Sequence, residues 1–515
     1  MTIFFKENNM KKFTKILCLA LVLAILSTVF ASCAEKNEPK KIADTGINNE
    51  TDEDAPTFTE ADFNEDTFTI LSAVINVEDF GDNYIDNEER TGEPINDAVI
   101  DRNQAVEDKY NIDIVCRAES AGYASQAAKS GTVDFEIVYD WGIRLVPHAT
   151  EGLFYDLLQV PYIDLEQDYW VPSSQYDLTI ADKMLVFTCD VSMNRLGYAS
   201  FLIFNKRILD DNGIEYPYSY VNKNEWTVDN LYDMVIKCSN DVDGDQLWTV
   251  EDVYGYGDSG MLGTAINGSG LNTQFTLKND DGSYRLNVYT DKLVTIFNEY
   301  DDRAAVAPAG TFCDLGWQDF IEGRDISMYD SKFQAGRVFN FGEGHTAITG
   351  TSMSYLVEFQ NMEDQYGVVP MPKYEASQSE YYHYIDNCAP MFSIIKQADM
   401  EKVGIIMEYL SYESEQCLLP AYYEQTIKTK QMSDLEGRDE GMLDIIRDSI
   451  HYNWTSLYYQ SIKNSEGYGW DPCGTMVGEM LAAGNFSSVN KKYSAAAQKS
   501  IDDIYELILD MDVNK

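Results

Sequence analysis

Between residues 67 and 139 strand and helix alternate, and that alternation limits what the chain can fold into more than any other feature. Residues 67–75 (TFTILSAVI) read as a strand, followed by a polar stretch with Gly81 and Gly92. From Pro94 to Tyr110, the apolar residues Ile95, Val99, Val106 and Tyr110 stand at the spacing of one helix face. Residues 112–116 (IDIVC) are a second strand, 123–129 a short helix and 135–139 (FEIVY) a third strand. Strand, helix, strand, helix, strand predicts an α/β fold, a parallel sheet with helices on its faces. Such sheets bind ligands at the carboxyl ends of their strands, here Tyr139-Asp140-Trp141-Gly142.

Further along, strands are predicted at 183–190, 200–206, 286–289, 345–350, 367–372 and 388–396. Helices are predicted at 207–214, ended by Gly213, and at 226–239, 291–302, 352–362, 400–414, 415–428, 440–451 and 489–511. Thr290 or Asp291 is the expected N-cap of the 291–302 helix. Residues 304–331 are too rich in Gly, Asp and Pro for any regular element to be assigned. No internal repeat occurs at solenoid periods.

The N-terminus carries an address. Lys11, Lys12 and Lys15 precede an apolar run at 16–30, and Ala31-Ser32-Cys33 follows at once. About fifteen apolar positions suit the core of an export signal and are too short for a permanent span. The stretch resembles a bacterial lipoprotein signal: residues 1–32 a signal peptide, Cys33 the lipidated residue, a second acylation making the anchor stable. The other reading is a buried N-terminal helix with an incidental cysteine. Residues 33–62 are polar and read as a disordered tether, which places the protein at the cell surface, on the outer face of the cytoplasmic membrane. The chain has a net charge of −48, and about −51 without residues 1–32, which carry four lysines and one glutamate. That charge argues against nucleic acid or an anionic membrane surface as partner. Besides Cys18 and Cys33, seven cysteines are scattered at 116, 189, 238, 313, 388, 417 and 473 with no C-x-x-C spacing. They read as mostly buried free thiols.

Several stretches together resemble the extracellular solute-binding proteins of bacterial ABC importers, family 1, of the maltodextrin and multiple-sugar type. Residues 97–111 (DAVIDRNQAVEDKYN) resemble the first-helix signature of one branch, and 204–209 (FNKRIL) the strand-to-helix corner after the first crossover. Residues 367–382 (GVVPMPKYEASQSEYY), 419–430 (LPAYYEQTIKTK) and 442–446 (MLDII) are similar to the second crossover and the C-terminal region. The resemblance implies a two-lobed periplasmic-binding-protein-like fold (type II), with discontinuous lobes joined by a hinge. Lobe one would be 63–190 plus 378–415, and lobe two 191–377 plus 416–515. It also implies a carbohydrate ligand, an ABC permease as membrane partner and a body that is monomeric. Cys189 and Cys388 would lie near the hinge, where a disulfide would restrain closure, so two free thiols are favoured.

Residues 241–252 (DVDGDQLWTVED) have the ligand spacing of a calcium loop. Asp241, Asp243, Asp245, Thr249 and Asp252 stand at positions 1, 3, 5, 9 and 12, with the Leu247 carbonyl at 7. Hard oxygens in a tight turn suit Ca2+, in a structural role. Two departures stand out: glycine is at position 4, and Gln246 occupies position 6, where the sharp turn normally takes glycine. An unliganded Asp-Gly turn is the alternative, but three close carboxylates would repel one another without a cation.

Sugars are held by aromatic rings and by convergent polar groups. Trp141 at the strand tip is the first candidate, against a core role for the ring. Asp190 and Asn194 flank the first crossing, Asp386 and Asn387 the second, and either pair can meet hydroxyls or cap turns. Thr351 and Tyr355 open the 352–362 helix, whose free N–H groups favour an oxygen-rich ligand. Trp454 and Trp470 sit in aromatic, glycine-containing surroundings (HYNWTSLYY, EGYGWDPCG) that can supply a stacking ring or simple packing. No G-x-S-x-G, H-E-x-x-H or P-loop occurs, and the four histidines (148, 345, 383, 451) do not cluster, so no enzyme is expected. The alternatives are a surface glycoside hydrolase, a calcium-dependent adhesion or scaffold protein, and the same fold binding peptides or another solute.

Overall fold

In a computed structural model, the described residues are 56–74, 84–258, 274–314, 321–327, 332–359, 361–385, 389–429, 438–458, 461, 476, 479–480 and 485–512. Residues 1–32, Cys33, Asp386, Asn387 and Trp470 lie outside them. Strand β1 (Asp66–Ser72) buries Phe68, Ile70 and Leu71 completely. Helix α1 (Pro94–Tyr110) starts on its proline and buries the expected stripe of Ile95, Val99, Val106 and Tyr110. Strand β2 (Ile112–Arg117), helix α2 (Ala121–Ser130) and strand β3 (Ile137–Trp141) complete the alternation. Ser120 caps α2, and Gly131 ends it at φ +70°. Upstream of β1, Phe58 already packs on the rings of Tyr409 and Tyr412, at 4.8 and 4.9 Å between centroids.

Helix α3 (Gly142–Thr150) follows β3 without a loop. The sequence conceals it, because Gly142 and Pro147 are poor helix formers. Glycine is required there: a Cβ on Gly142 would stand 2.5 Å from a Leu457 methyl and 3.2 Å from the Met391 sulfur. Helix α4 (Pro172–Leu178) comes next. The strand expected at 183–190 does not form a ladder. Only single bridges occur there, Ile180 to Lys183 and Phe187 to Phe392. Its apolar run instead fills the core with Met184, Leu185, Val186 and Phe187.

After the one-turn helix α5 (Asn194–Gly197) the chain enters a second sheet through β4 (Ser200–Asn205), and Asn205 caps α6 (Lys206–Asp211). Helix α7 (Val228–Cys238), β5 (Tyr254–Asp258) and the hairpin β6 (Thr276–Lys278)–β7 (Tyr284–Leu286) follow. Helix α8 (Asp291–Val306) takes Thr290 as its N-cap. Strand β8 (Phe312–Asp314) lies in the stretch where no element was assignable. It pairs with β5 and needs only three residues, too few to show a period. Helix α9 (Lys332–Asn340) leads to β9 (Thr346–Ser352), buried throughout. The helix expected at 352–362 is the 3-10 segment Met353–Phe359.

Strands β10 (Tyr366–Val369), β11 (His383–Tyr384) and β12 (Pro390–Ile394) carry the chain back. Helices α10 (Met400–Glu413) and α11 (Leu419–Thr429) are joined by the π-helical segment Ser414–Leu418, so the two expected helices are continuous. Helix α12 (Arg438–Asp448), β13 (Ile450–His451), α13 (Trp454–Leu457) and α14 (Phe486–Leu509) close the fold.

One sheet has the order β12-β3-β1-β2, with β2 and β3 parallel to β1 and β12 antiparallel to β3. The other has the order β10-β4-β9-β5-β8, mixing parallel pairs of β5 with antiparallel pairs of β4. The chain crosses between sheets after Ser192 and again between β10 and β12, and the bridge Ala199 to Ile385 joins the two crossings. Among the described residues no helix is long and apolar enough to cross a membrane. Cys116, Cys189, Cys238, Cys313 and Cys417 are free thiols, and burial pushes Cys189 up to about 12; Cys388 lies outside the described residues.

Candidate functional site

At the tip of β3 the Asp140 carboxylate is fully buried and accepts the N–H groups of Ala121, at the start of α2, and of Trp141, at 2.9 and 2.8 Å. Burial holds its carboxyl above the usual range, against those two N–H groups and Arg144. Trp141 is half-buried, and the Arg144 guanidinium lies 4.3 Å from its ring centroid. The next residue, Gly142, touches Leu457, so the tip meets α13, the turn that carries Trp454.

The first crossing is a closed network. Asp190 is buried and takes both Nε and Nη2 of buried Arg195 on one oxygen, at 2.7 and 2.5 Å. Burial raises the Asp190 carboxyl, while the Arg195 charge opposes the shift. Asn194 donates its side-chain amide to the Tyr139 hydroxyl, which pairs with Ser192 Oγ at 2.6 Å. Ser192 Oγ also accepts the Asn194 backbone N–H at 3.2 Å. Buried Arg102, on α1, donates to the Val191 carbonyl at 3.0 Å.

On the second sheet, Thr351 is buried near the end of β9 opposite Phe201. Tyr355 lies in the following 3-10 turn, its ring centroid 5.5 Å from the Arg337 guanidinium. Ser354, between them, donates to the Gly197 carbonyl at 2.9 Å, so this turn docks on the first crossing.

Trp454 itself lies in a cleft assembled from four distant pieces of chain. Helix α4 supplies Tyr176 and Asp177, the 274–284 hairpin Phe275, Lys278 and Tyr284, β11 Tyr384, and the 452–454 turn Tyr452, Asn453 and Trp454. The parallel pairing of β11 with β13 aligns Tyr384 with His451 and brings two of these pieces together. His451 stacks on Tyr382 at 4.2 Å, and its Nδ1 lies 3.2 Å from Asp177 Oδ2. The same oxygen accepts the Tyr452 N–H at 2.9 Å. Aromatic walls around a few polar groups are the make-up of a small-molecule site. Tyr176, Asp177, Lys278, Tyr284, Tyr384 and Tyr452 escape sequence reading because they are spread over nearly 280 positions. The only local hint is the recurrence of tyrosine beside a polar residue in QYDL, YHYID and HYNW.

The sequence matches no protein-family model and no curated protein. Among solved structures, a cyclo/maltodextrin-binding protein complexed with maltotetraose is similar over 86% of this chain and 96% of its own, at 13% identity and a TM-score of 0.50. A cyclic alpha-maltosyl-1,6-maltose binding protein from Arthrobacter globiformis covers 85% and 99%, at 14% identity and 0.49. The apo form of RafE from Streptococcus pneumoniae covers 87% and 98%, at 12% identity and 0.48. The fold is the two-lobed periplasmic-binding-protein fold. At this identity the likeness speaks for the fold alone.

Away from the cleft, the 241–252 loop forms a surface cluster able to coordinate a divalent cation. One oxygen each of Asp241, Asp243 and Asp252 lie within 4.8 Å of one another. Asp241 accepts the N–H groups of Gly244 and Gln246, at 2.8 and 2.7 Å, and Asp252 those of Val242 and Thr249, at 2.9 and 2.7 Å. Burial pushes the Asp252 carboxyl up, but the N–H groups of Thr249 and Val242, with the Thr249 hydroxyl and His345, together hold it below its usual range. Gln246 takes φ +67°, the left-handed conformation that position 6 demands of any residue there. The Asp245 carboxylate turns to the Leu247 N–H at 2.6 Å. The Thr249 hydroxyl lies 3.2 Å from Asp252 Oδ2.

Proposed function

We propose that this chain is a lipid-anchored extracellular solute-binding protein that captures a carbohydrate and delivers it to an ABC permease. The observation that carries the reading is the cleft: rings of Tyr176, Tyr284, Tyr384, Tyr452 and Trp454 surround Asp177, Lys278 and Asn453 in a two-lobed fold. The maltotetraose complex of the similar cyclo/maltodextrin-binding protein supports an oligosaccharide as the solute. Binding without turnover is favoured because Asp177 is the one carboxylate among the described lining residues, and glycoside hydrolysis ordinarily needs a pair. Ligand would shift an open–closed equilibrium, since only a closed form makes contacts from both lobes. Trp141 and Arg144, at the β3 tip, would complete the site through the contact of Gly142 with α13. Lipid on Cys33 would hold the body within reach of the permease.

Calorimetry of the lipid-free protein against mono- and oligosaccharides tests the proposal: stoichiometric binding without product supports it, and a silent panel sinks the sugar assignment. For the Asp loop we propose structural Ca2+, held by Asp241, Asp243, Asp252 and the Leu247 carbonyl, on the evidence of an all-oxygen donor set. A chelator should lower the melting temperature, and restored Ca2+ should recover it. An unchanged melt would refute the ion.

A further inference from the structure

Two aromatic residues of the cleft stand in opposite states. Trp454 is 3% exposed, and its ring meets those of Tyr284 and Tyr458 at 4.8 and 6.0 Å between centroids, with near edge-to-face tilts. That burial leaves no indole face for a sugar to stack on. Its indole N–H, however, is buried with no acceptor among the described residues. Native structures rarely leave a buried donor unmade, and those they do leave need a reason. Tyr176 is the reverse case. It sits on the cleft wall at 60% exposure, with the Lys278 ammonium 6.0 Å from its ring centroid. A large ring left mostly exposed contributes little to folding, and its value lies in what it can stack against.

We propose that Trp454 serves the cleft as an edge donor, giving its indole N–H to a ligand oxygen, while Tyr176 supplies the stacking face. The assignment rests on the carbohydrate-binding reading and deepens it. The ligand must bring an acceptor oxygen to the buried end of the cleft and an apolar ring face to its rim. A pyranose does both with one residue, since its hydroxyls lie at the ring's edge and its C–H groups on the ring's face. The tryptophan that composition marks as the stacking platform is then the hydrogen-bonding group.

The probes are maltotetraose, cellotetraose and mannotetraose, titrated calorimetrically into the intact lipid-free protein. For whichever sugar binds, Trp454→Phe should weaken affinity about tenfold, the loss expected of one hydrogen bond. Tyr176→Ala should weaken it by a similar factor, roughly tenfold, and Tyr176→Phe should restore it because the ring returns. In 15N-labelled wild-type protein the Trp454 indole signal, identified by its absence from the Trp454→Phe spectrum, should shift and exchange more slowly with solvent once the sugar is added. That measurement and Tyr176→Ala decide the matter even where Trp454→Phe folds poorly. A sugar that binds while the indole signal stays unmoved and Tyr176→Ala keeps full affinity overturns this assignment and leaves the carbohydrate reading in place. Wild-type protein that binds none of the three overturns both.

Discussion

The first crossing and the aromatic cleft use the same kinds of residue and leave them in different states. At the crossing, Asp190 has Arg195, and Tyr139, Ser192 and Asn194 satisfy one another. In the cleft, the Trp454 N–H has no acceptor among the described residues, and Tyr176 is 60% exposed. The difference teaches how to tell structural polar groups from binding ones. Burial alone does not separate them, since Trp454 is as buried as Asn194. What separates them is whether the chain itself supplies the partner. A saturated network stabilises the joint between the sheets, whereas the open groups of the cleft are, on the proposed reading, left for a ligand.

Substitutions at the two regions should have different consequences. The largest effect should come from Asp190→Ala, which leaves the Arg195 charge buried and unpaired. Urea unfolding should show a loss of about 3–5 kcal/mol, as for other broken buried pairs. A loss under about 1 kcal/mol would mean that water reaches the pair, and the crossing would no longer count as closed. His383, on β11 beside the cleft residue Tyr384, belongs with the saturated groups. Its Nε2 accepts the Met371 N–H at 2.9 Å, and its Nδ1 lies 2.8 Å from Ser449 Oγ. Burial, followed by the His451 charge, pushes His383 down to about 3. The unfolded chain takes up that proton first, near the ordinary histidine value of about 6.5. The stability His383 contributes is therefore complete above about pH 6.5 and drains away as pH falls toward 3. In a His383→Gln variant the slope of stability against pH across that window should be shallower by up to about one proton. An unchanged slope would place the acid sensitivity elsewhere.

Asn194→Ala should cost less, about 1–2 kcal/mol, because the Tyr139 hydroxyl keeps Ser192 as a partner. Tyr176→Ala stands at the other extreme. It should change stability by no more than about 0.5 kcal/mol while weakening sugar binding. If Asn194→Ala weakened sugar binding more than it destabilised the fold, the crossing would itself be part of the site.

Legibility in the sequence followed the range of the interactions involved. The stripe on α1 could be read because a helix face repeats within a few residues, and the structure places Ile95, Val99, Val106 and Tyr110 as expected. The N-cap Thr290 is equally local. Readings failed where distant packing overrode the local signal. Residues 183–190 are apolar enough for a strand, yet only Lys183 and Phe187 find single bridges, to Ile180 and Phe392, and Met184, Leu185 and Val186 fill the core. The α3 helix went unread because its start depends on Leu457 and Met391, which leave room only for glycine at 142.

The candidate site divides the same way. The Asp loop was legible in part, since Asp241, Asp243 and Asp252 lie within twelve positions and do come together, while the Asp245 carboxylate turns to the Leu247 N–H. Trp454 could be nominated from its neighbours, but its role could not. Whether an indole offers a face or an edge depends on Tyr284, 170 residues earlier in the chain. The sequence by itself determined the alternation of strand and helix, the spacing of the Asp loop and the acidic character of the body. Each rests on repeats and charges that survive in an unfolded chain. Only the tertiary structure decided that α4, the hairpin, β11 and α13 enclose one cleft, and which polar groups within it stay unpaired. A partner that is hundreds of residues away exists only once the crossings have brought it near.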